Sequence, residues 1–338
     1  MGKIAAILAA VLICTAAAAG APTLRFGKSG EFKVIQLTDL HLVGERPDQA
    51  EKTFARIRYI VEAERPDMIA VTGDVITGAK YSREMLRSVL DTLDSFRIPF
   101  CIVFGNHDQE MGMTKEEMSE MITSCKYSLN SLGADGKLAD IRIPVRCSKG
   151  RDDAMEFYFL DSHTSIQADS PYAGKPIRYE WFDFDQVCWI RSQFAQSASE
   201  HGRVLPSAAF FHIPLPEFIE AWENTTAQHF THNNVKGVRG EYGGHSRINS
   251  GMFAAMLEGG STMGVFCGHD HDSDFIVEHM GIALAYGRFS GDDTVYHHLM
   301  HGTRVIVFKE GERSFRTWIH EDDGQISYSA EYSDGILR

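Results

Sequence analysis

The amino-acid sequence predicts an α/β protein whose two β-sheets form a sandwich flanked by helices. Strand-like and helix-like runs alternate in the first half of the chain, and short apolar runs recur in the second half. In both halves an Asp, His or Asn follows run after run. The chain has 338 residues, 43% of them hydrophobic, which is ample for a large core. We therefore expect one domain that spans residues 22–338.

The first half of the chain has the pattern βαβαβ, which favours a parallel sheet with right-handed crossovers. The apolar side chains of both predicted helices recur at helical spacing and so mark one buried face. The predicted strands cover residues 33–38, 68–72 and 100–104, and the predicted helices cover residues 49–64 and 85–93.

The second half of the chain contains short apolar runs that are each followed by polar residues. Buried strands are predicted at residues 157–160, 208–211 and 264–267, and antiparallel strands at 275–277, 282–286, 305–308 and 315–319. Segments 165–185 and 223–247 carry Gly, Pro, Asn and Tyr without periodicity. We expect long loops there, and long loops in a compact domain often have a function.

Residues 1–21 are interpreted as a signal peptide. Lys3 supplies a positive charge, an apolar run covers residues 4–19, and the small residues up to Ala21 offer cleavage sites. The alternative is a membrane anchor, but the run is shorter than the roughly 20 apolar residues of a spanning helix. We therefore expect export to the periplasm or the extracellular space, with no membrane span after the signal is removed.

The charge and the cysteines limit the classes of partner and of fold. The formal net charge is -13 at pH 7, and an acidic surface repels the nucleic-acid backbone, so no nucleic-acid polymer is expected as a partner. Five cysteines remain once Cys14 leaves with the signal, and this odd number argues against a full disulfide framework. A bridge between Cys125 and Cys147 stays open, and so does the oligomeric state.

Residues of the types that bind metals stand where the predicted strands end. Because the carboxyl ends of neighbouring parallel strands meet at one edge of a sheet, we expect these residues to lie together. Carboxylates and imidazoles favour Zn, Mn or Fe over a metal held by thiolates. The residues are Asp39, His41, Asp74, Asn106, His107, Asp108, His212, His269, Asp270 and His271.

The spacing of these residues predicts a site for two metal ions. Asp39 and His41 alternate on an extended segment, so both can hold one ion, and His269 and His271 repeat this arrangement. Asp74 can bridge two ions through its two oxygens. Two ions about 3.5–4 Å apart would clamp a phosphoryl group and lower the pKa of a bridging water.

His107 is left over once the ligands are assigned. It directly follows Asn106 and can face the substrate, where a histidine stabilises the phosphorus centre or protonates the leaving alkoxide. Asp108 or Asp270 can orient it.

Each of these residues also has an ordinary structural explanation. An Asp after a strand is usually a turn former, and a lone buried His usually satisfies the core. Five strand ends that all carry ligand-type residues make chance improbable. The segments 105–108 and 268–271 are the strong signals, whereas residues 73–74 alone are a weak one.

These residues resemble, in order and spacing, the signature of the calcineurin-like metallophosphoesterases. The matching blocks are Asp39-x-His41, Gly73-Asp74, Gly105-Asn-His-Asp108, His212 and Gly268-His-x-His271. The resemblance covers about residues 32–310. Segments such as 103–109, 158–162 and 210–216 are similar to the purple-acid-phosphatase-like branch, whose plant members are often labelled probable inactive.

The resemblance implies a four-layer αββα fold and a role for each residue. One metal would be held by Asp39, His41, Asp74 and His271, the other by Asp74, Asn106, His212 and His269, and His107 would be the catalytic histidine. Purple enzymes carry a Tyr ligand three residues after the bridging Asp, where this chain has Thr77. An ordinary divalent pair (Mn, Zn or Fe) is therefore expected.

Three further residues are candidates for substrate binding: Arg288, Asp270 and Arg247. Arg288 can fork onto a phosphate. Its alternative is a surface ion pair with Asp292 or Asp293. Arg247 lies in a Gly-rich loop that can line the pocket.

The expected function is hydrolysis of small phosphate esters, monoesters first, by attack of metal-bound hydroxide. One alternative is a phosphodiesterase that acts on nucleotides or glycerophosphodiesters. A second alternative is a metal-dependent binding protein without turnover. Every expected ligand position carries a competent ligand, so the residues themselves give no reason to call this chain inactive.

Overall fold

The computed structural model describes residues 22–110, 112–226, 235–291 and 295–338. The predicted signal peptide, residues 227–234 of the second long loop, and Asp292 and Asp293 lie outside this range. The described strands are β1 (Leu24–Arg25), β2 (Glu31–Leu37), β3 (Met68–Thr72), β4 (Phe100–Val103), β5 (Ile141–Arg146), β6 (Asp153–Phe159), β7 (Ser207–Phe210), β8 (Val235–Lys236), β9 (Thr262–Cys267), β10 (Ile276–His279), β11 (Ile282–Tyr286), β12 (Gly302–Lys309), β13 (Ser314–Glu321), β14 (Ile326–Ser333) and β15 (Ile336–Leu337). The described helices are α1 (Pro47–Glu64), α2 (Ser82–Ser95), α3 (Lys115–Thr123), α4 (Phe184–His201), α5 (Glu217–Thr226) and α6 (Met252–Gly259).

The strands form two mixed sheets, as expected. One sheet has the order β15-β14-β13-β12-β2-β3-β4, in which β2, β3 and β4 run parallel and β12 joins β2 antiparallel. The other has the order β1-β5-β6-β7-β9-β11-β10-β8. The βαβαβ prediction for the first half of the chain is confirmed.

One predicted strand is antiparallel on one side only. Residues 282–286 were expected to form an antiparallel strand, and β11 does pair antiparallel with β10, but it pairs parallel with β9 on its other side. The turn at Met280 and Gly281, both with positive φ, reverses the chain after β10. The reversal places β11 between β10 and β9, and its direction then matches β9.

Helices cover the outer faces of both sheets, which gives the four layers of the αββα prediction. The two sheets share an inner core, in which Phe32 of one sheet packs against Phe157 of the other. Apolar residues of α1 and α2 pack on the outer face of the seven-stranded sheet, and those of α4 and α6 pack on the eight-stranded sheet. The amphipathic faces predicted for the first two helices are therefore the buried ones.

The carboxyl ends of strands from both sheets meet at one edge of the sandwich. Two hydrogen bonds join the sheets there: Gln36 Nε2 donates to the carbonyl of Cys267 at 2.9 Å, and His212 Nδ1 lies 2.7 Å from the carbonyl of Thr72. Side chains that follow β2, β3, β4, β7 and β9 therefore converge on a single place.

Two further observations concern the cysteines and the lengths of the helices. Cys101, Cys125, Cys147, Cys188 and Cys267 are all free thiols, so the possible bridge between Cys125 and Cys147 is not formed. None of the helices in the described ranges is both long enough and apolar enough to cross a bilayer.

Candidate metal centre

The backbone at this edge adopts a conformation that residues other than glycine rarely take. Asp39, His41, Asp74 and His269 all have positive φ, with values of 54°, 44°, 52° and 80°. A positive φ strains a residue that carries a Cβ and is found disproportionately at functional sites. The turns after β2, β3 and β9 therefore hold these four side chains in strained positions.

A first triad consists of Asp39, His41 and His271. Its ligand atoms all lie within 4.8 Å of one another, and all three residues are buried. The Nε2 atoms of His41 and His271 are 3.0 Å apart, and Asp39 Oδ1 lies 3.7 Å from Nε2 of His271. Two imidazole nitrogens and a carboxylate oxygen that converge in this way form a ligand set for a divalent ion.

A second triad consists of Asp74, His212 and His269. Nε2 of His212 lies 3.1 Å from Asp74 Oδ2 and 3.2 Å from Nδ1 of His269. Asn106 is not a member of the triad, but its amide oxygen lies 3.3 Å from the same His212 nitrogen. The residues that the resemblance assigns to the second metal are thus brought together.

Asp74 stands between the two triads through one oxygen. Its Oδ1 accepts the backbone N–H of His107 at 2.7 Å, whereas Oδ2 lies 3.1 Å from His212 Nε2 and 3.6 Å from His41 Nε2. Bridging through both oxygens was expected, but the structure directs Oδ2 alone at both histidines. The difference arises because the backbone turn at residues 105–107 occupies Oδ1.

The charge of this cluster calls for cations. Within the described ranges, the buried Asp74 Oδ2 makes no hydrogen bond, and a buried oxygen of this kind is costly unless it is compensated. The two triads together contain two carboxylates and four imidazoles, and Asn106 lies beside His212 of the second triad. The residues present therefore fit two divalent ions, and this fit rests on the orphaned oxygen and on the donor set.

The protonation states of His41, His269 and Asp74 suit metal binding. Burial lowers the pKa of His41 and of His269 well below the usual value, which keeps both rings neutral. Burial would raise the pKa of Asp74, but the neighbouring histidines, His212 foremost, hold it well below the usual range. Neutral imidazole and ionised carboxylate are the forms that ligate metals. Burial would also lower the pKa of His212, but ionised Asp74 outweighs burial and raises it to about 10, so a metal ion would have to displace a proton there.

The distal nitrogens of the ligand histidines are anchored. His41 Nδ1 lies 2.6 Å from the hydroxyl of Thr77, and His271 Nδ1 lies 2.8 Å from the carbonyl of Tyr296. Such contacts fix the ring orientation and the tautomer. Thr77, the position where a tyrosine ligand was looked for, thus acts on the site through His41.

Two glycines are required by close approach. A Cβ on Gly105 would collide with the carboxylate of Asp74, and one on Gly268 would collide with the hydroxyl of Thr38 and with Asp39. Glycine therefore precedes Asn106 and His269 because the ligand turns pack directly against each other.

His107 lies at the mouth of the site. Its ring packs edge to face against His41 with centroids 5.1 Å apart, and the side chain is 36% exposed. Its Nδ1 lies 2.7 Å from Oε1 of Glu110. Glu110 was missed in the sequence, although its i+3 spacing from His107 was a signal that a single turn would bring the two together.

Asp108 does not have the expected role. It was predicted to be catalytic or to orient His107, but it is fully buried and its carboxylate accepts the backbone N–H groups of Asp74, Val75, Ile76 and Gly105. Burial raises its pKa to about 7. Asp108 instead ties the turn after β4 to the turn after β3, and so holds Asp74 and Asn106 in register.

Arg288 is not available to a substrate phosphate. It is 2% exposed, and its Nε and Nη2 donate to Asp274 Oδ2 at 2.9 and 2.5 Å. Its Nη1 donates to the carbonyl of Met300. The alternative prediction, that Arg288 forms an ion pair on the surface, is also wrong, because Arg288 is buried inside the protein.

Asp270 and Arg247 were both predicted to bind the substrate, and they differ in their exposure to solvent. Asp270 is buried and accepts the Tyr286 hydroxyl at 2.6 Å and the backbone N–H of Gly244 at 2.9 Å, so within the described ranges it is paired with these groups and not with the His107 ring. Arg247 is exposed on the 237–250 loop. That loop borders the site, because a Cβ on Gly244 would collide with the ring of His269.

Two tyrosines that were not predicted form walls of the site. Tyr179 packs edge to face on His269 with centroids 4.6 Å apart, and Tyr296 stacks on His271 at 4.6 Å. The Ser246 hydroxyl donates to the carbonyl of Tyr179, which joins the two long loops beside the site. The expectation of functional loops pointed to this region but to neither tyrosine.

Comparison with known proteins agrees with this geometry. A family model described as calcineurin-like phosphoesterase matches residues 32–273. The chain is 27% identical over 352 residues to "Probable inactive purple acid phosphatase 29" of Arabidopsis thaliana, a match that covers 90% of this chain and 86% of that protein. It is 28% identical over 340 residues to "Phosphatase DCR2" of Saccharomyces cerevisiae, which covers 88% and 55%. A "Probable cyclic nucleotide phosphodiesterase" of Psychrobacter arcticus is 29% identical over 194 residues, covering 52% and 61%.

Solved structures match the fold. A dimetal phosphatase from Danio rerio superposes with a TM-score of 0.57 at 12% identity, covering 90% of this chain and 99% of that one. GAP50, described as the anchor in the inner membrane complex of Plasmodium, superposes with a TM-score of 0.56 at 12% identity, covering 90% and 89%. One architecture thus carries proteins described as a phosphatase and as an anchor.

Proposed function

Because this chain belongs to the calcineurin-like phosphoesterase family, we propose that it is an exported phosphoesterase that hydrolyses small phosphate esters, with monoesters preferred. The observation that carries the proposal is the pair of buried triads on either side of Asp74 Oδ2. This donor set is suited to two divalent ions of Mn, Zn or Fe.

The residues divide into two ligand groups in this proposal. Asp39, His41 and His271 would hold one ion, and Asp74, His212, His269 and Asn106 would hold the other. Asp74 Oδ2 also lies 3.6 Å from Nε2 of His41 in the first group. The ions would supply positive charge for the phosphoryl oxygens and lower the pKa of a bound water.

The chain's own residues bind and orient the ester. His107 meets the leaving-group oxygen at the mouth of the site, and the rings of Tyr179 and Tyr296 exclude water from the backs of His269 and His271. Asp108 keeps the turns after β3 and β4 in register during turnover.

The preference for monoesters is supported by cations on the rim. Arg178 and Arg247 are exposed on the two loops that Ser246 joins, and neither has an ion-pair partner within the described ranges. A monoester carries one more negative charge than a diester. The guanidinium of Arg178 lies over the ring of Tyr179, 5.1 Å from its centroid, and so stands next to the site. Guanidinium groups without carboxylate partners favour the dianion, since they can bind its terminal oxygens bidentately.

The test compares p-nitrophenyl phosphate with bis-p-nitrophenyl phosphate. The mature protein, stripped of metal, is reloaded in turn with Mn, Zn and Fe(II), with Asp74→Asn as the control. We expect metal-dependent release of nitrophenol from the monoester, which Asp74→Asn abolishes. Double substitution of Arg178 and Arg247 by Gln is expected to raise KM for the monoester more than for the diester.

Two other functions remain candidates for the same assay. Phosphodiesterase action on nucleotides or glycerophosphodiesters is favoured by the name of the Psychrobacter relative, and a faster reaction with the diester would establish it. A metal-dependent binding role without turnover is favoured by the plant relatives named inactive, and bound metal without any hydrolysis would establish that role.

Export is proposed from residues 1–21 alone. Expression of the full chain in a bacterial host, followed by fractionation and N-terminal sequencing, tests it. We expect protein outside the cytoplasm that begins near residue 22. A cytoplasmic protein that still begins at Met1 would contradict export and would leave the chemistry untouched.

A further inference from the structure

We propose that Glu110 is a positioning residue for catalysis, which holds the His107 ring so that Nε2 faces the leaving group. The inference rests on the proposed phosphoesterase function and deepens it. The observation behind it is the 2.7 Å contact between Glu110 Oε1 and His107 Nδ1.

The backbone brings these two residues together. Residues Asp108–Glu110 form a single 3₁₀ turn, in which the backbone N–H of Glu110 donates to the carbonyl of His107 at 2.9 Å. The same turn is anchored to the protein interior, because Asp108 is buried and the N–H of His107 donates to Asp74 Oδ1. The backbone of Glu110 is therefore fixed, although its side chain is 45% exposed.

The contact decides which ring nitrogen is left for the substrate. Nδ1–H donates to the Glu110 carboxylate, so Nε2 is the nitrogen that remains for the ester. Glu110 is also the only side chain in the described ranges that hydrogen-bonds the His107 ring. A ring that is 36% exposed would sample other rotamers without this partner, and catalysis falls steeply when a reacting group is misplaced.

The step that depends on this geometry is departure of the leaving group. The oxygen of a water molecule, after loss of one proton to solvent, forms a bond to phosphorus. The bond between phosphorus and the ester oxygen breaks, and its electron pair goes to that oxygen. His107, protonated on both ring nitrogens for this step, gives its Nε2 proton to this oxygen while Nδ1–H stays hydrogen-bonded to Glu110. The products are an alcohol and phosphate, and Nε2 regains its proton from solvent.

The experiment combines two esters with three variants. Glu110→Ala removes the acceptor, Glu110→Gln keeps an acceptor oxygen, and Glu120→Ala makes the same truncation at an exposed residue of α3. The esters are p-nitrophenyl phosphate, whose acidic leaving group needs no proton, and glycerol phosphate, whose alkoxide needs one. Each metal-loaded protein is assayed for kcat, KM and metal content.

We expect Glu110→Ala to lower kcat for glycerol phosphate by roughly 100-fold, the lower part of the range for general acid catalysis, with KM and metal content unchanged. The loss for p-nitrophenyl phosphate should be less than about 10-fold. Glu110→Gln should retain most activity, and Glu120→Ala all of it. Equal losses on both esters, or no loss beyond that of Glu120→Ala, would overturn the proposal.

A second readout does not depend on turnover. Long-range ¹H–¹⁵N spectra of metal-free protein, with His107→Gln for assignment, report which ring nitrogen carries the proton. We expect His107 protonated at Nδ1 in the wild type and in Glu110→Gln, and mixed tautomers in Glu110→Ala. A mixed tautomer in the wild type would overturn the positioning claim even if esters are hydrolysed. The expected tautomers without hydrolysis of any ester would instead locate the failure in the proposed function.

Discussion

Two clusters of buried charge lie on the same stretch of chain after β9, and the protein compensates them differently. Asp274 is fully buried, and the guanidinium of Arg288 binds it through two nitrogens. Asp39 and Asp74 are equally buried, yet within the described residues their ion-pair partners are histidines alone, without any Lys or Arg. Asp274 lies only three positions after His271, a member of the first triad.

The difference separates a structural charge from one kept for a ligand. A buried carboxylate with its own guanidinium needs nothing further, and removal of either partner leaves an uncompensated charge. A buried carboxylate whose charged partners are imidazoles alone gains further stabilisation when an external cation replaces their protons. The contrast explains why Arg288, a candidate phosphate ligand by sequence, instead lies buried against Asp274.

The largest effect is expected from Asp74→Asn, which breaks the ligand cluster. Activity on p-nitrophenyl phosphate should fall by more than roughly 100-fold, because loss of a mere outer partner of a metal ligand already costs 10–100-fold. The metal-free variant should lose only the stability that comes from the contact between Asp74 and His212, which is less than Asp274→Asn loses, because an unpaired imidazole can release its proton and a guanidinium cannot. Steady-state kinetics and thermal unfolding check both halves, and substantial residual activity would contradict the role of Asp74.

The matched change on the other cluster, Asp274→Asn, should act on stability. Arg288 is 2% exposed, so loss of its carboxylate leaves a buried charge, and the free energy of unfolding should fall by about 3–5 kcal/mol. Denaturant titration measures this loss. A variant in which Asp274→Asn and Arg288→Met are combined should recover part of the stability, and a fall below about 1 kcal/mol would remove the contrast.

Metal addition should stabilise only the ligand cluster. At a free metal concentration 100 times Kd, the wild type should gain about 2.7 kcal/mol in unfolding free energy, because only the folded state binds. Unfolding scans with and without Mn or Zn measure the gain. Asp74→Asn should lose most of it, and a wild type that gains nothing would argue against a metal site.

The smallest effect is expected at a third charged cluster, which surrounds Glu64 and provides a comparison with the two clusters above. Glu64 at the end of α1 accepts hydrogen bonds from Lys33, Trp318 and His320. Burial raises the pKa of Glu64, but these hydrogen bonds outweigh it and lower the pKa below its usual value. The stability due to ionised Glu64 is therefore present above the unfolded pKa and is lost as pH falls through the lower folded pKa.

Glu64→Gln should therefore cost roughly 1–2 kcal/mol near neutral pH and progressively less as the solution is acidified. Urea titrations of both proteins at several pH values measure the difference. A difference that grows on acidification would contradict the sign of this argument.

Much of the fold could be predicted because the relevant residues are apolar and regularly spaced. Strands β2, β3 and β4 are buried runs, and helix α1 carries its apolar residues on one face. Strand β14 was missed, since its alternating, largely exposed sequence offers no apolar run. Helix α4 was missed as well, although Asp183 and Gln186 form a capping box that was readable as a start signal.

The parallel strand topology was enough to predict which residues come together at the site, but it could not predict the individual contacts that they make. Strand ends that share an edge bring Asp39, Asp74 and Asn106 together whatever their rotamers. The partner of Arg288 depended on packing between loops that are distant in sequence. The backbone bonds of Asp108 depended on a turn geometry that the residue type alone does not specify.

Metal content tests the central claim most directly. The purified wild type, Asp74→Asn and Glu64→Gln are each equilibrated with Mn or Zn, freed of excess by gel filtration and measured by elemental analysis. We predict about two ions per chain in the wild type and in Glu64→Gln, and a clear loss in Asp74→Asn. Buffer-level metal in the wild type, or equal content in Asp74→Asn, would contradict a two-metal site built on these residues.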